Sequence, residues 1–303
     1  MRHFSITVAA FTIPILLVGL VMEFALRSMP NDYAHKRQIM DREAESMEVL
    51  CLGNSHAFYG INPVYWQQKS FNASHISQSL DIDLAIFEKY YPRFRNLQVI
   101  IIPVSYFSLF SKVGTGIESW RVKNYCIYYD LNVGESLMDH SEVLSLKMPV
   151  NLGRLYNHYI RGWQAVGSSD FGFGLNDLQK SLKAFKLTAK TSAAIHKKID
   201  DRFLNENTAN LERIISMAKA RNIKVILFTP PAHQLYRELL DRDQLNTTVN
   251  AVSALTLKHS NVIYQNYLED NSFVLDDFYD SDHLNRSGAK KLSIKIQEFF
   301  GTK

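Results

Sequence analysis

The sequence predicts an α/β fold, a three-layer α/β/α sandwich of flavodoxin-like type with a parallel sheet. Three observations carry this. Apolar runs at Val49 to Leu52, Leu97 to Ile102 and Ile223 to Phe228 have the length of strands buried on both faces, as in parallel sheets. Between and after them, apolar residues recur at helical spacing. The alternation of the two patterns along the chain calls for helices on both faces of one sheet. An N-terminal apolar segment and an insertion interrupt this scheme.

The segment from Phe4 to Met22 has no charged residue and is just long enough to cross a bilayer as a helix. No small-residue cleavage site follows it, so residues 1–27 are expected to be an uncleaved membrane anchor. Pro14 is tolerable inside such a helix. Arg2 on one side against Arg27, Lys36 and Arg37 on the other does not favour a cytoplasmic N-terminus, and large domains translocate largely regardless of this count. Residues 28–46 carry both charge signs and read as a linker or a short surface helix. The domain that follows, 47–303, holds the alternating pattern.

Val49 to Leu52 ends abruptly in Gly53-Asn54-Ser55-His56. The glycine permits a sharp turn where the strand stops. Asn62-Pro63 starts a short helix, as N-cap and first helical residue. Ser70 to Ser74 is a second strand. Leu80, Leu84, Phe87 and Tyr91 share a helix face, and Pro92 ends that helix. Leu97 to Ile102 is a strand closed by Pro103. Residues 107 to about 200 do not follow the pattern and are read as a partly helical insertion over the sheet edge. Their aromatics, among them Trp120, Tyr125, Tyr156, Tyr159 and Trp163, are expected to pack the insertion's own core, with stacking on sugar rings as the alternative. Leu211, Ile214, Ile215 and Ala218 mark the next helix. The strand Ile223 to Phe228, a helical region from Gln234 to Lys258, a short strand from Asn261 to Tyr264 and a closing helix through Ala289, Leu292, Ile296 and Phe299 complete the domain.

Of the 303 residues, 46% are hydrophobic, ample for a core, and the net charge of +4 comes without a basic block, which leaves nucleic-acid binding without support. Cys51 and Cys126 have no metal-ligand spacing and no Cys/His cluster accompanies them, so neither a metal nor another cofactor is expected.

The chemistry is expected where Ser55 meets the loop Asp280-Ser281-Asp282-His283-Leu284-Asn285. Open α/β folds bind ligands at the carboxyl edge of the sheet, where the turn at Gly53 presents Ser55. Asn285 is a fair N-cap for the closing helix, which puts His283 on a loop near that edge. A carboxylate three residues before a histidine can turn back onto the imidazole, so Asp280, rather than the adjacent Asp282, is expected to orient His283. A serine, a base and an orienting acid are what nucleophilic catalysis requires.

At these residues the chain resembles the SGNH (GDSL-like) hydrolase and acyltransferase superfamily. Leu52-Gly53-Asn54-Ser55 is similar to its nucleophile block, Phe71-Asn72-Ala73-Ser74 to the start of its second block, and Phe278 to Gly288 to its final Asp-x-x-His block. The resemblance spans roughly residues 47–300 without the insertion. It implies Ser55 as nucleophile, His283 as base and Asp280 as its partner. It also places Ser77, Ser105, Asn72 and His56 as candidates for oxyanion or substrate contact. The departures are specific. Asn54 stands for an aspartate, Ser77 for a glycine, and Ser105 for the oxyanion asparagine. Backbone N–H groups of Ser55 and Ser77 can still donate, whereas loss of one side-chain donor costs roughly 10²–10³ in rate. His75 and His233 are read as polar or structural, with substrate contact a minor alternative for His233.

With an N-terminal anchor, these departures resemble the membrane-anchored SGNH-like proteins of bacterial cell-surface glycan pathways. That resemblance implies a single-pass inner-membrane protein with a periplasmic domain, acting on a glycan or acyl ester by O-acyl transfer or ester hydrolysis, with a membrane acyl-donor protein as a candidate partner. A catalytically weak protein that binds glycan or supports polysaccharide assembly is the competing reading.

Overall fold

Val49, Leu50 and Cys51 are each fully buried, and a strand with no solvent-facing side chain must lie between two covered faces. It does so at the centre of a computed structural model that describes residues 2–175, 182–198 and 201–301. Five strands form the sheet: β1 (Val49–Cys51), β2 (Ser70–Asn72), β3 (Val99–Pro103), β4 (Lys224–Thr229) and β5 (Val262–Asn266). Their order is β2-β1-β3-β4-β5 and every pairing is parallel, the doubly wound order in which the chain reverses direction beside β1. The register sets Leu50 against Phe71 and Ile100, so side chains of neighbouring strands stack in rows on each face.

Helices cover the sheet as the spacing predicted, at Leu80–Tyr90, Leu204–Lys219, Arg242–Lys258 and Arg286–Gln297. On one side Val49, Cys51, Ile101, Ile226 and Phe228 join Leu292 and Ile296 of the closing helix in one buried cluster. The expected helical region from Gln234 to Lys258 consists of two helices, Gln234–Arg237 and Arg242–Lys258. Asp241 interrupts it because its carboxylate caps the second helix, accepting from the N–H groups of Asp243 and Gln244.

The chain divides into two compact units, Met1–Arg37 with Ile117–Gly167, and Gln38–Gly116 with Ser168–Lys303. The second contains the sheet. In it the Phe171-Gly172-Phe173-Gly174 stretch lies along the β2 edge, where Asn72 N–H donates to the Phe171 carbonyl at 2.9 Å. Gly172 has φ +77°, and a Cβ there would stand 2.0 Å from the Asn72 carbonyl oxygen, so only glycine fits. This part of the insertion covers the edge strand. Residues 176–181 and 199–200 of the insertion lie outside the described residues.

The first unit contains one helix, Arg2–Arg27, that is long and apolar enough to cross a membrane, with Phe4, Phe11 and Phe24 each more than 70% exposed. The segment expected as linker or surface helix holds an α-helix at Asp32–Glu43, with Ile39 and Met40 buried.

Candidate active site

The site is built outward from the end of β1. Gly53 takes φ +114°, and a Cβ would come within 2.4 Å of the Pro103 ring, so the turn needs glycine both for its dihedral and for the close approach of β3. Its N–H donates to the buried Asp83 carboxylate at 2.8 Å. Asn54 then caps the helix Ser55–Gly60, its side-chain oxygen accepting from His56 N–H at 3.0 Å. The Asn54 amide group donates to Ser105 Oγ at 3.1 Å. Asparagine in place of aspartate thus has a structural use: it caps with the oxygen and ties β1 to β3 with the nitrogen.

Ser55 is the first residue of that helix, and its hydroxyl lies 2.8 Å from Nε2 of His283. His283 Nδ1 lies 3.0 Å from Asp280 Oδ1, and the same oxygen accepts from the backbone N–H of His283 at 2.9 Å. The loop that holds them is fixed at both ends. Asn285 caps the closing helix by accepting from Ser287 and Gly288 N–H, and its amide donates to the Asp276 carbonyl at 2.7 Å. The His233 N–H donates to the Ser281 carbonyl at 3.0 Å. Burial alone would raise the Asp280 carboxyl, but His283 beside it outweighs this and holds it below the usual carboxylate range.

A second carboxylate lies behind the histidine. Asp282, which was not expected to orient His283, is 1% exposed, and its Oδ2 sits 3.8 Å from His283 Nδ1, 3.6 Å from His56 Nε2 and 4.0 Å from His196 Nδ1. Burial opposes its charge, and the three histidines more than offset that, so the carboxyl stays well below its ordinary range. Burial lowers His56, and lowers His196 to about 3, so both rings are neutral near pH 7. Ligand atoms of His56, Asp282 and His283 lie within 4.8 Å of one another, but Ser55 and Asp280 occupy both nitrogens of His283, which leaves two free ligands and a poor fit to a metal ion.

Of the residues expected at the oxyanion or substrate position, Ser105 and Asn72 have their side chains engaged inside the protein. Ser105 is fully buried, with Oγ 2.7 Å from His56 Nδ1 and in reach of the Asn54 amide, so its short side chain turns inward. Asn72 is fully buried and committed: its amide group donates to the carbonyls of Ala57 and Ile61, and its oxygen accepts from Ser74 N–H. It holds the nucleophile helix against β2. His56 is 7% exposed and lies beside His283, with ring centroids 5.1 Å apart. Ser77 lies on the loop between β2 and the helix Leu80–Tyr90. It has φ +60°, a left-handed conformation that glycine adopts more readily than serine. The loop is drawn beside the Ser55 turn by Ala73 N–H to the Cys51 carbonyl at 2.8 Å and His75 N–H to the Gly53 carbonyl at 3.2 Å. Among the described residues, no acceptor pairs with the backbone N–H of Ser55 or of Ser77. His233 accepts from Leu235 N–H and packs edge-on against Phe185 and Phe278, a structural role.

Asp83 and His196 were not foreseen. Asp83 falls on the apolar stripe Leu80, Leu84, Phe87, and a carboxylate on a buried helix face was the available signal. His196 lies in the insertion, where no pattern pointed to the sheet.

A model of a family described as a protein of unknown function (DUF1574) matches residues 153–290, less than half of the chain. No curated protein matches. Among solved structures, a protein from Streptococcus pneumonia provisionally named a platelet activating factor is similar at 12% identity, covering 96% of this chain and 99% of its own, with a TM-score of 0.46. A provisionally named acylhydrolase from Bacteroides fragilis has 11% identity, 88% and 96% coverage and a TM-score of 0.41. A GDSL-like lipase from Bacteroides thetaiotaomicron has 11% identity, 88% and 98% coverage and a TM-score of 0.42. At such identities and scores these likenesses carry no argument about activity.

Proposed function

We propose that the protein is a serine-dependent acyl-transfer enzyme, an O-acyl esterase or O-acyltransferase. The observation that carries this is the continuous line from Ser55 Oγ through His283 to Asp280, with both contacts at hydrogen-bond distance. Ser55 attacks the acyl carbonyl carbon as His283 Nε2 takes its proton. Asp280 holds the ring with Nδ1 protonated and stabilises the imidazolium, which Asp282 also favours through space. The unpaired N–H groups of Ser55 and Ser77 are the donors for the oxyanion. His283 returns the proton to the departing alcohol. An acceptor hydroxyl or water, deprotonated by the same nitrogen, then attacks the acyl carbonyl, and His283 passes that proton to Ser55 Oγ as the acyl–oxygen bond breaks.

The finer reading, that the acceptor is a cell-surface glycan outside the cytoplasm of a bacterium and that a membrane protein supplies the acyl group, rests on the sequence resemblance and the N-terminal apolar helix. A periplasm-only reporter fused to the C-terminus should be active under this reading and silent if the domain stays in the cytoplasm. One observation favours the competing reading of a weak or inert glycan-binding protein: Ser105 faces away from the oxyanion position and leaves it with backbone donors alone. Acylation of Ser55 in purified protein distinguishes the two, and turnover that appears only with added glycan distinguishes a transferase from an esterase.

A further inference from the structure

The insertion carries a surface that the acyl-transfer chemistry does not use. Along residues 148–160, an α-helix (Met148–Leu155) that continues as a wider turn (Tyr156–Ile160), large apolar side chains follow one stripe. Met148, Leu152, Tyr156, Tyr159 and Ile160, with Trp163 just beyond, are each about half exposed or more, from 48% at Met148 to 71% at Ile160. Lys147 and Arg161 flank the stripe in sequence, while Arg154 turns inward onto the buried Glu142 carboxylate. A row of this size is unusual on a surface that faces water.

The same segment is fastened to one end of the apolar helix Arg2–Arg27, within a single compact unit. The Glu23 carboxylate accepts from Ser141 Oγ at 2.8 Å and from the N–H groups of Glu142 and Val143, both at 2.9 Å. Arg27 donates to the His140 carbonyl at 2.6 Å, and the Tyr159 hydroxyl to the Ala25 carbonyl at 2.8 Å. Below these ties an apolar groove of about 600 Å³ runs between the two segments, lined by Pro14, Val18 and Met22 on one side and Val143, Leu144 and Met148 on the other.

Depth decides what covers this surface. If Phe4 to Met22 crosses the hydrocarbon, Glu23, Ala25 and Arg27 lie at one membrane boundary. The groove reaches from there to Pro14, nine residues or roughly 14 Å along the axis, well inside the apolar layer. A segment pinned at Glu23, Ala25 and Arg27 cannot stand clear of the lipid. Tyr and Trp with flanking Arg and Lys are the side chains that suit that boundary.

We propose that residues 137–163 lie in the bilayer interface beside the membrane helix, with Met148, Leu152, Tyr156, Tyr159, Ile160 and Trp163 against lipid acyl chains, which also fill the groove. The unit then holds the membrane by a spanning helix and by a flat, partly inserted segment joined to it. This does not depend on the reaction catalysed.

The test uses the full chain in liposomes of phosphatidylcholine and phosphatidylglycerol. Leu152→Cys and Ile160→Cys are each labelled with an environment-sensitive fluorophore, and Leu257→Cys, at a site 91% exposed in the sheet-containing unit, serves as control. The native Cys51 and Cys126 are buried. At 152 and 160 the emission should shift to the blue and fall by on the order of half when the lipids carry brominated acyl chains, while the label at 257 changes in neither respect. Two positions are used so that one poorly folding variant does not decide the result. Water-like emission without quenching at both would overturn the proposal. A blue shift without bromolipid quenching would overturn it equally, because a second copy of the chain would then be covering the stripe.

Discussion

Ser105 Oγ lies 2.7 Å from Nδ1 of His56, inside the protein and not at the face where a substrate carbonyl would sit. This contact turns the residue in the oxyanion position into a brace for the histidine behind the site. Ser105→Ala removes a partner from His56 and from Asn54, both buried, and should cost roughly 1–3 kcal/mol of stability. Activity should stay within about tenfold of wild type, since no oxyanion donor is lost. Denaturant unfolding and kcat/KM on the same preparation check this; a loss of activity as large as that of Ser55→Ala would show that the hydroxyl reaches the reaction.

Asp280 and Asp282 should be separable by substitution. Asp280 hydrogen-bonds the ring and Asp282 acts only through space, at 3.0 and 3.8 Å. Asp280→Asn should cost roughly 10³–10⁴ in kcat by disfavouring the productive tautomer. Asp282→Asn should cost far less and should move the acid limb of the kcat/KM profile to lower pH, because a buried negative charge that favours the imidazolium is gone. The opposite ranking would reassign the orienting acid.

Asp83 should make stability depend on pH. Burial, with Asp81 adding to it, raises its carboxyl from 3.8 to about 7 despite hydrogen bonds from Gln78 and Gly53. The folded state therefore binds this proton more tightly than the unfolded chain. Its stabilising effect is fully present below pH 4 and is lost as pH rises through 7. Asp83→Asn keeps an acceptor for Gly53 and cannot ionise. Melting temperatures of the two proteins should differ in the variant's favour at pH 8 relative to their difference at pH 4; parallel curves across that range would show that Asp83 does not titrate in this way.

Gly53→Ala should disable the site without touching a reacting atom. The new Cβ would lie 2.4 Å from the Pro103 ring at a φ of +114°, so the turn carrying Ser55 must shift. Backbone strain of this kind costs on the order of 1–3 kcal/mol, and the displaced serine should label slowly. Unchanged labelling would mean that the turn tolerates a side chain.

The parallel sheet and its covering helices were legible because buried strands leave runs such as Ile100-Ile101-Ile102, and because the apolar stripes of the helices have one period. Ser55, Asp280 and His283 were legible as residue types at strand and helix ends. The inward turn of Ser105 and the commitment of Asn72 were not, because which way a short polar side chain faces depends on partners distant in sequence: His56 for one, Ala57 and Ile61 for the other. The burial of Asp282 was not legible for the same reason, since adjacency to His283 says nothing of the ring of His196 that closes over it. The insertion was opaque because its apolar residues include a stripe that stays about half exposed, so periodicity in it does not report a core.

The account is tested most directly by covalent labelling of Ser55. Full-length protein in detergent, shown to be folded, is treated with a fluorophosphonate and with an activated acyl ester and analysed by peptide mass spectrometry. One adduct is predicted, on Ser55, absent in Ser55→Ala and sharply reduced in His283→Ala, because a serine without its base is a poor nucleophile at neutral pH. No adduct across several acyl groups, or an adduct unaffected by His283→Ala, would contradict the assignment of Ser55, His283 and Asp280 as a working nucleophilic site.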